Sequence, residues 1–262
     1  MSLILLAILV VLVIAGDALA PYPPLKLDLR VRFQPPSREH WFGTDEMGRD
    51  VLSRVMSGAK VSLIAAVIVI GLAALVGIPL GLISGYRGGK TDSVIMRVTD
   101  IFLGFPAMLL ALAVAAALGS GLFKAMVASS LVWWPGYARL ARGQVLALKA
   151  LPLVESARAA GVPDRQVLFR HILGNMTSPL IIKFTMDIGY AILFVSGLGF
   201  LGLGAQAPIP EWGTMVADGR TYILNRWWCS GFPGMAITLA IVCFNLLGDA
   251  LEVVLDPTLS RR

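Results

Sequence analysis

The chain is 262 residues long, 57% hydrophobic and only 15% charged, with a formal net charge of +6. A soluble domain carries about 25% charged residues, so the composition excludes one, and the length suits about five to seven membrane spans of roughly 20 residues. The modest basic excess fits loops beside anionic lipid rather than nucleic acid, and 2 cysteines and 2 histidines are too few for a metal cage or a disulfide framework.

Residues 2–16 are an unbroken apolar run. Ala18-Leu-Ala20 imitates a signal-peptide cleavage site, but no basic stretch precedes it and Pro21 would follow the cut. The run therefore reads as a retained span over residues 1–20, with Asp17 near its outer end. In residues 21–60 the prolines at 21, 23, 24, 35 and 36 hold the chain extended. Thr44 or Asp45 is then placed to cap a short helix with Val51, Leu52 and Val55 on one stripe, an amphipathic helix at the membrane surface.

Residues 61–84 read as the second span, with Gly71 and Gly77-Ile-Pro79 inside it. Ser84-Gly-Tyr-Arg-Gly-Gly-Lys-Thr91 imitates a phosphate loop. It lacks the first glycine and a preceding strand, and reads as a basic turn. The third span, 94–118, is entered past Arg97 and Asp100 and interrupted by Gly104-Phe-Pro106. The fourth, 123–138, passes Trp133 and Trp134, either an interfacial belt or part of a lined path.

Residues 139–178 then break the apolar pattern. Arg139, Arg142 and Lys149 lead to Pro152, which suits a first helical turn, and Glu155 sits at that helix's positive end. Ser156, Ala157, Ala159, Ala160 and Gly161 give a surface of small side chains. Gly161-Val-Pro163 ends the helix, and residues 164–173 form a second one with Arg165 and Arg170 exposed. Such a pair of short helices either lies on the membrane or enters a groove of another protein as a rigid lever.

The fifth span, 180–204, carries Lys183 and Asp187 at i, i+4, able to neutralise one another, and ends in a glycine-rich stretch from Gly197 to Gly204. A second polar excursion, 205–230, contains Glu211-Trp-Gly213, and the sixth span, 231–254, holds Asn245, Asp249 and Glu252. Ionisable groups at membrane depth face water or the bundle interior, which makes Asp187 and Asp249 candidates for a translocation path. Six spans put both termini on one side. Lysines and arginines divide almost evenly between the two faces, so the positive-inside rule does not choose that side. No G-x-S-x-G, H-E-x-x-H or other catalytic set is present.

Glu155-Ser-Ala-Arg-Ala-Ala-Gly161, followed by His171-Ile-Leu173, resembles the E-A-A…G loop of ABC importer permeases. Ser156 stands where alanine is commoner, and Gly174 where a proline usually follows the leucine. Residues 43–54, 200–208, Glu211-Trp-Gly213 and 245–250 with Asp256-Pro257 resemble the C-type permease subunits of dipeptide, oligopeptide and nickel importers. The resemblance implies an all-α membrane protein of six transmembrane helices with the type I ABC importer permease fold. One N-terminal helix (1–20) and an outer segment (21–60) precede a five-helix core (61–254) that includes the cytoplasmic coupling loop 139–178, and a cytoplasmic tail (255–262) follows.

By the same resemblance the chain is a non-enzymatic permease subunit of an ATP-driven, binding-protein-dependent importer. Its solute would be di- or oligopeptides or a related small solute, nickel and metal chelates included. Glu155, Ser156, Ala157, Ala160, Gly161, Arg165 and Arg170 would meet the ATPase. Asp187, Asp249 and Trp134 would line the path, and Asp45, Arg49, Asp50, Glu211 and Trp212 would form the outer gate and docking surface. The implied partners are a homologous permease, two cytoplasmic ATPase subunits holding ATP and Mg, an extracytoplasmic substrate-binding protein and membrane lipid, with no metal and no nucleic acid bound by this chain. The place is the cytoplasmic membrane of a bacterium or archaeon, both termini inside. A secondary transporter working without an ATPase is the alternative, and it predicts inverted internal repeats.

Overall fold

The structure, a computed structural model, describes residues 2–255, apart from the side chains of residues 2–5, 153, 155, 157 and 158. Ten α-helices follow one another: α1 (Ser2–Leu19), α2 (Val51–Arg87), α3 (Gly89–Leu103), α4 (Ala107–Leu118), α5 (Leu122–Lys149), α6 (Pro152–Ala159), α7 (Asp164–Gln166), α8 (Thr177–Phe200), α9 (Trp212–Gly219) and α10 (Trp228–Leu255). A π-helical turn, Val167–Ile172, and a 3₁₀ turn, Leu173–Met176, join α7 to α8 without interruption. Among the described residues the only extended pairing is an isolated bridge between Thr44 and Asp50.

Among the described residues three helical stretches are long and apolar enough to cross a membrane: Val51–Arg87, Asp164–Phe200 and Trp228–Leu255. α3 and α4 qualify together as a fourth, bent by 89°. The 18-residue apolar α1 and the 28-residue α5 stand where the other two of the six expected spans fall. The bend falls at Gly104-Phe-Pro106, where the proline lacks an N–H and pushes the residue before it out of the helical region. The expected interruption of the third span is therefore a full corner between two helices.

The chain packs as two compact units, one containing residues up to 69, 112–129 and 185–247, the other 70–111, 130–184 and those from 248 onward. In the first unit the outer segment corrects two expectations. Neither Thr44 nor Asp45 caps a helix. Asp50 does, its Oδ2 accepting from Ser53 N at 2.8 Å and Ser53 Oγ at 2.7 Å. The amphipathic helix and the second span are also not separate, because α2 runs unbroken for 37 residues. Gly58 lies at the expected joint, and a glycine there is no stop. A Cβ at 58 would lie 3.0 Å from Trp212 Cδ1, so the position is small because an indole rests on it.

In the second unit α2 and α5 lie against each other through a glycine ladder. A Cβ on Gly77 would stand 2.6 Å from Tyr137 Cβ, on Gly81 2.6 Å from Ala141 Cβ, and on Gly85 2.8 Å from Val145 Cβ. Glycines at i, i+4 and i+8 let two backbones approach closely, and lipid-exposed bundles rely on such approach because lipid offers no hydrophobic drive for helix association. The ladder climbs in the same direction on both helices, so α2 and α5 are parallel. The chain between them must therefore travel back along their length, and α3 with α4 is the segment that does so.

Candidate functional site

The polar insert 139–178 begins as a continuation of α5, which ends only at Lys149. α6 starts at Pro152, as expected for a proline at a first helical position. Beyond it Gly161 has φ +77°, a conformation that costs a side-chain-bearing residue roughly 1–2 kcal/mol. The loop's apolar side is anchored. Val154, Val167, Ile172 and Met176 are buried together with Leu82 and Tyr86 of α2 and Ala141 and Val145 of α5. Its other side is bare: Ser156, Ala160, Gly161, Arg165 and Arg170 are exposed. Phe169, 59% exposed, stands with Arg165 and Arg170 around a shallow depression. The side chains of Glu155 and Ala157 lie outside the described residues.

Tyr86, in the last turn of α2, grips the loop at both ends. Its hydroxyl donates to the carboxylate of Asp164, where the second helix begins. Its carbonyl accepts from Lys149 Nζ at 2.7 Å, and the same ammonium lies 5.4 Å from its ring centroid. Hydrogen bonds to charged groups contribute about 1.5–3 kcal/mol. Sequence reasoning passed over Tyr86, which stood inside a motif dismissed as a phosphate-loop imitation.

Two ion pairs join α3 to α5. Asp92 takes Arg142 in a forked pair at 2.6 and 2.7 Å and also accepts from Ser84 Oγ at 2.5 Å. Asp100 pairs with Arg139 at 2.6 Å, but these side chains are 58% and 55% exposed. A pair this exposed contributes about 0–1 kcal/mol, whereas a planar fork on one carboxylate is the stronger geometry. Of the residues assigned to a path, Trp134 is buried with its ring edge-on to Phe102 at 5.3 Å, which is not the setting of an interfacial belt. Asp187 is buried on α8 and Asp249 exposed on α10. Lys183 Nζ sits 5.2 Å from the Tyr137 ring centroid.

The residues assigned to the outer gate are interior. Asp45, Arg49 and Asp50 are 8%, 8% and 5% exposed, and Glu211 and Trp212 are 0% and 1% exposed. Asp45 accepts from Met47 N at 2.8 Å, Arg49 N at 2.9 Å and Arg49 Nε at 2.7 Å, and also from the Arg54 guanidinium. Asp50 faces His40 Nδ1 at 2.9 Å. Beyond the turn, Trp228 Nε1 donates to the Thr44 carbonyl at 3.1 Å. These groups fix the shape of the outer segment from within. Beside them lies a polar cleft of about 660 Å³ whose lining includes Glu46, Arg49, Arg54, Gln206, Asp218 and Arg220.

Glu211 caps α9, its two oxygens accepting from Gly213 N at 2.8 Å and Thr214 N at 2.9 Å. Ser196 and Ser62 hydroxyls approach at 3.3 and 3.4 Å. Trp212 Nε1 donates to the Val55 carbonyl at 2.9 Å. Burial pushes the Glu211 carboxyl above the ordinary glutamate range, against the pull of those N–H and O–H donors. A carboxyl with a raised folded pKa stabilises most fully below its unfolded value, and that contribution is lost as pH rises through the folded value. Wild type should therefore gain melting temperature relative to Glu211→Gln as pH falls from about 8 toward about 5. Parallel pH curves for the two proteins would show that the carboxyl titrates normally.

Residues 77–261 match the family described as the binding-protein-dependent transport system inner membrane component. Over 256 residues, 98% of this chain and 86% of its relative, the sequence is 46% identical to a probable D,D-dipeptide transport system permease protein of Escherichia coli K12. It is 45% identical to a dipeptide transport system permease protein of Alkalihalophilus pseudofirmus, covering 86% of this chain and 74% of that protein. It is 44% identical to a glutathione transport system permease protein of Pectobacterium atrosepticum, with the same two coverages, 86% and 74%. In shape it is similar to an inward-facing MetNI methionine ABC transporter structure, with a TM-score of 0.63 and 18% identity over 76% of this chain and 94% of that one. The matching family and the permease relatives, rather than the fold alone, set aside a secondary transporter. The chain belongs to the family of inner membrane components of binding-protein-dependent transport systems, and is a membrane-embedded ABC permease subunit.

Proposed function

We propose that this subunit, paired with a homologous permease, imports di- or oligopeptides or a related small solute, dipeptides and glutathione being named for its relatives. Two ATPase subunits would bind ATP and Mg on the cytoplasmic side, where both termini and the loop 139–178 lie. A substrate-binding protein would deliver solute to the outer face. Asp45, Arg49, Asp50, Glu211 and Trp212 serve that face by holding the backbone of the outer segments in shape. In the loop, Ser156, Ala160, Gly161, Arg165 and Arg170, with Glu155 and Ala157 beside them, enter a groove on the ATPase. Closure of the ATPase pair then moves the spans as rigid bodies between inward- and outward-facing access.

The observation that carries this reading is the grip of Tyr86 on Lys149 and Asp164, which makes the loop stiff with respect to α2 and α5. A lever that slipped on its mounting would transmit nothing. The test is reconstitution of the assembled complex in vesicles. Dipeptide uptake should require ATP and the binding protein, and uptake without either one would overturn the reading. In the same assay Tyr86→Phe, which deletes only the hydroxyl, should lower solute-stimulated ATPase activity about tenfold, the equivalent of one charge-assisted hydrogen bond. Unchanged stimulation would remove Tyr86 from the lever.

A further inference from the structure

The two ion pairs on the α3–α5 seam are built differently. Asp92 is held by a guanidinium fork and a serine hydroxyl, a full complement that leaves it little to offer. Asp100 and Arg139 share one short contact and leave more than half of each side chain open. Beyond that contact, among the described residues, Asp100 feels only the charge of the nearby Arg142. The weak pair is therefore the exchangeable one.

Its depth gives the openness a meaning. With the loop 139–178 inside, as proposed above, the cluster of Ser84, Asp92 and Arg142 lies toward the inner end of the α3–α5 seam. Arg139 lies one helical turn farther from the inner end of α5 than Arg142, roughly 4.5 Å along the axis. Asp100 lies two turns beyond Asp92 on α3, roughly 12 Å along that helix. Charged groups so placed are costly against lipid, and where they occur they face water or the bundle interior. On the same two helices Phe102 and Trp134 meet ring edge to ring face.

We infer that Arg139 and Asp100 form a solute-exchange pair at the inner mouth of the route, Arg139 taking the carboxylate and Asp100 the ammonium group of a zwitterionic solute. The inference rests on the reading of the solute as peptide-like. A zwitterion can replace the Asp100–Arg139 contact by two contacts of the same kind, leaving no charge unpaired on either side. A peptide blocked at its amino end would leave Asp100 without a partner, so the pair discriminates between free and blocked solutes. The exchange involves no covalent step.

The experiment uses the complete complex in vesicles, with alanyl-alanine and its N-acetylated form as the probes. Asp100→Asn and Arg139→Gln should each lower alanyl-alanine uptake about tenfold or more, the scale of one lost charge-assisted hydrogen bond, and narrow the preference over the acetylated form. Complex yield should stay within about twofold of wild type, because the Asp92–Arg142 fork still joins α3 to α5. The exchanged double variant, Asp100→Arg with Arg139→Asp, should remain impaired, since it reverses the polarity met by the solute. Recovery of uptake in that double variant would overturn the inference and show a plain brace between α3 and α5. Unaltered uptake in both single variants would overturn it too, as would loss of assembled complex in both, which would place the pair against the partner permease. Wild type that carries no alanyl-alanine would instead overturn the peptide reading, and this inference with it.

Discussion

Gly161→Leu is expected to abolish solute-stimulated ATP hydrolysis and uptake while the subunit still inserts and assembles. Within this chain the substitution has room, because a Cβ at 161 meets no atom within 4 Å. The intramolecular cost is then the left-handed backbone alone, φ +77°, about 1–2 kcal/mol. A protein can absorb that and remain folded. The effect on coupling should be far larger, since the isobutyl group projects from the exposed side of the loop, between the small residues of α6 and the arginines that follow. A surface that must seat in another protein's groove does not tolerate that volume.

Gly161→Ala separates the two costs. It carries nearly the full backbone strain and almost none of the bulk, so it should keep most of the stimulated activity. Measuring ATPase stimulation, uptake and complex yield side by side decides the matter. Leucine and alanine variants with equal stimulated activity would show that bulk at this position meets nothing, and the lever reading would fail.

Gly81→Leu should do the opposite and remove the folded subunit itself. Here a Cβ would stand 2.6 Å from Ala141 Cβ, with the Ala138 carbonyl and Arg142 N also against it. The obstacles are backbone atoms of a neighbouring helix, which cannot rotate aside as a side chain does. Overpacking a well-filled core costs about 1–3 kcal/mol, sometimes more, and each kcal/mol lowers the melting temperature by about 2–4 °C at this size. Gly77 and Gly85 hold the same seam one turn away on either side, so α5 cannot yield at 81 without parting there as well. Membrane yield and melting temperature in detergent are the readouts. Ala141→Gly in the same chain should restore part of both, and a Gly81→Leu protein with wild-type yield and melting would mean the two helices are not in close contact.

The coarse plan was legible because it rests on local chemistry. Long apolar runs announced the spans, Gly104-Phe-Pro106 the corner in the third of them, and Gly161-Val-Pro163 the break inside the loop. Helix continuity was not legible: from residue 51 to 60 hydropathy falls, which suggested a surface helix, yet nothing in Ser57-Gly-Ala-Lys60 obliges a helix to stop. The cap at Asp50, in place of Thr44 or Asp45, depends on where the chain turns, and that turn is set by Asp45 gathering two arginines. The glycine ladder was readable as Gly77-x₃-Gly81-x₃-Gly85, but only a search for small residues at helical spacing would have found it. Exposed-looking charges such as Asp45 and Glu211 proved to be interior: their donors are mostly near in sequence, but burial is set by the residues that folding packs over them, Ser62 and Ser196 beside Glu211 among them. For Glu211 the cue was available, a carboxylate just before a helix that starts at Trp212.

One consequence of the passage from α7 into α8 is torsional. A π turn is wound more loosely than an α-helix and a 3₁₀ turn more tightly, so Val167–Ile172 and Leu173–Met176 offset each other in angle. A mid-helix 3₁₀ stretch often marks a hinge or strain, and π turns recur at functional sites. Moving the border between the two turns by a single residue would exchange an i+5 for an i+3 hydrogen bond, swivel everything downstream about its own axis and shift it slightly along that axis. In the coupling role proposed for it, the loop would thus act on the spans by twist as well as by push.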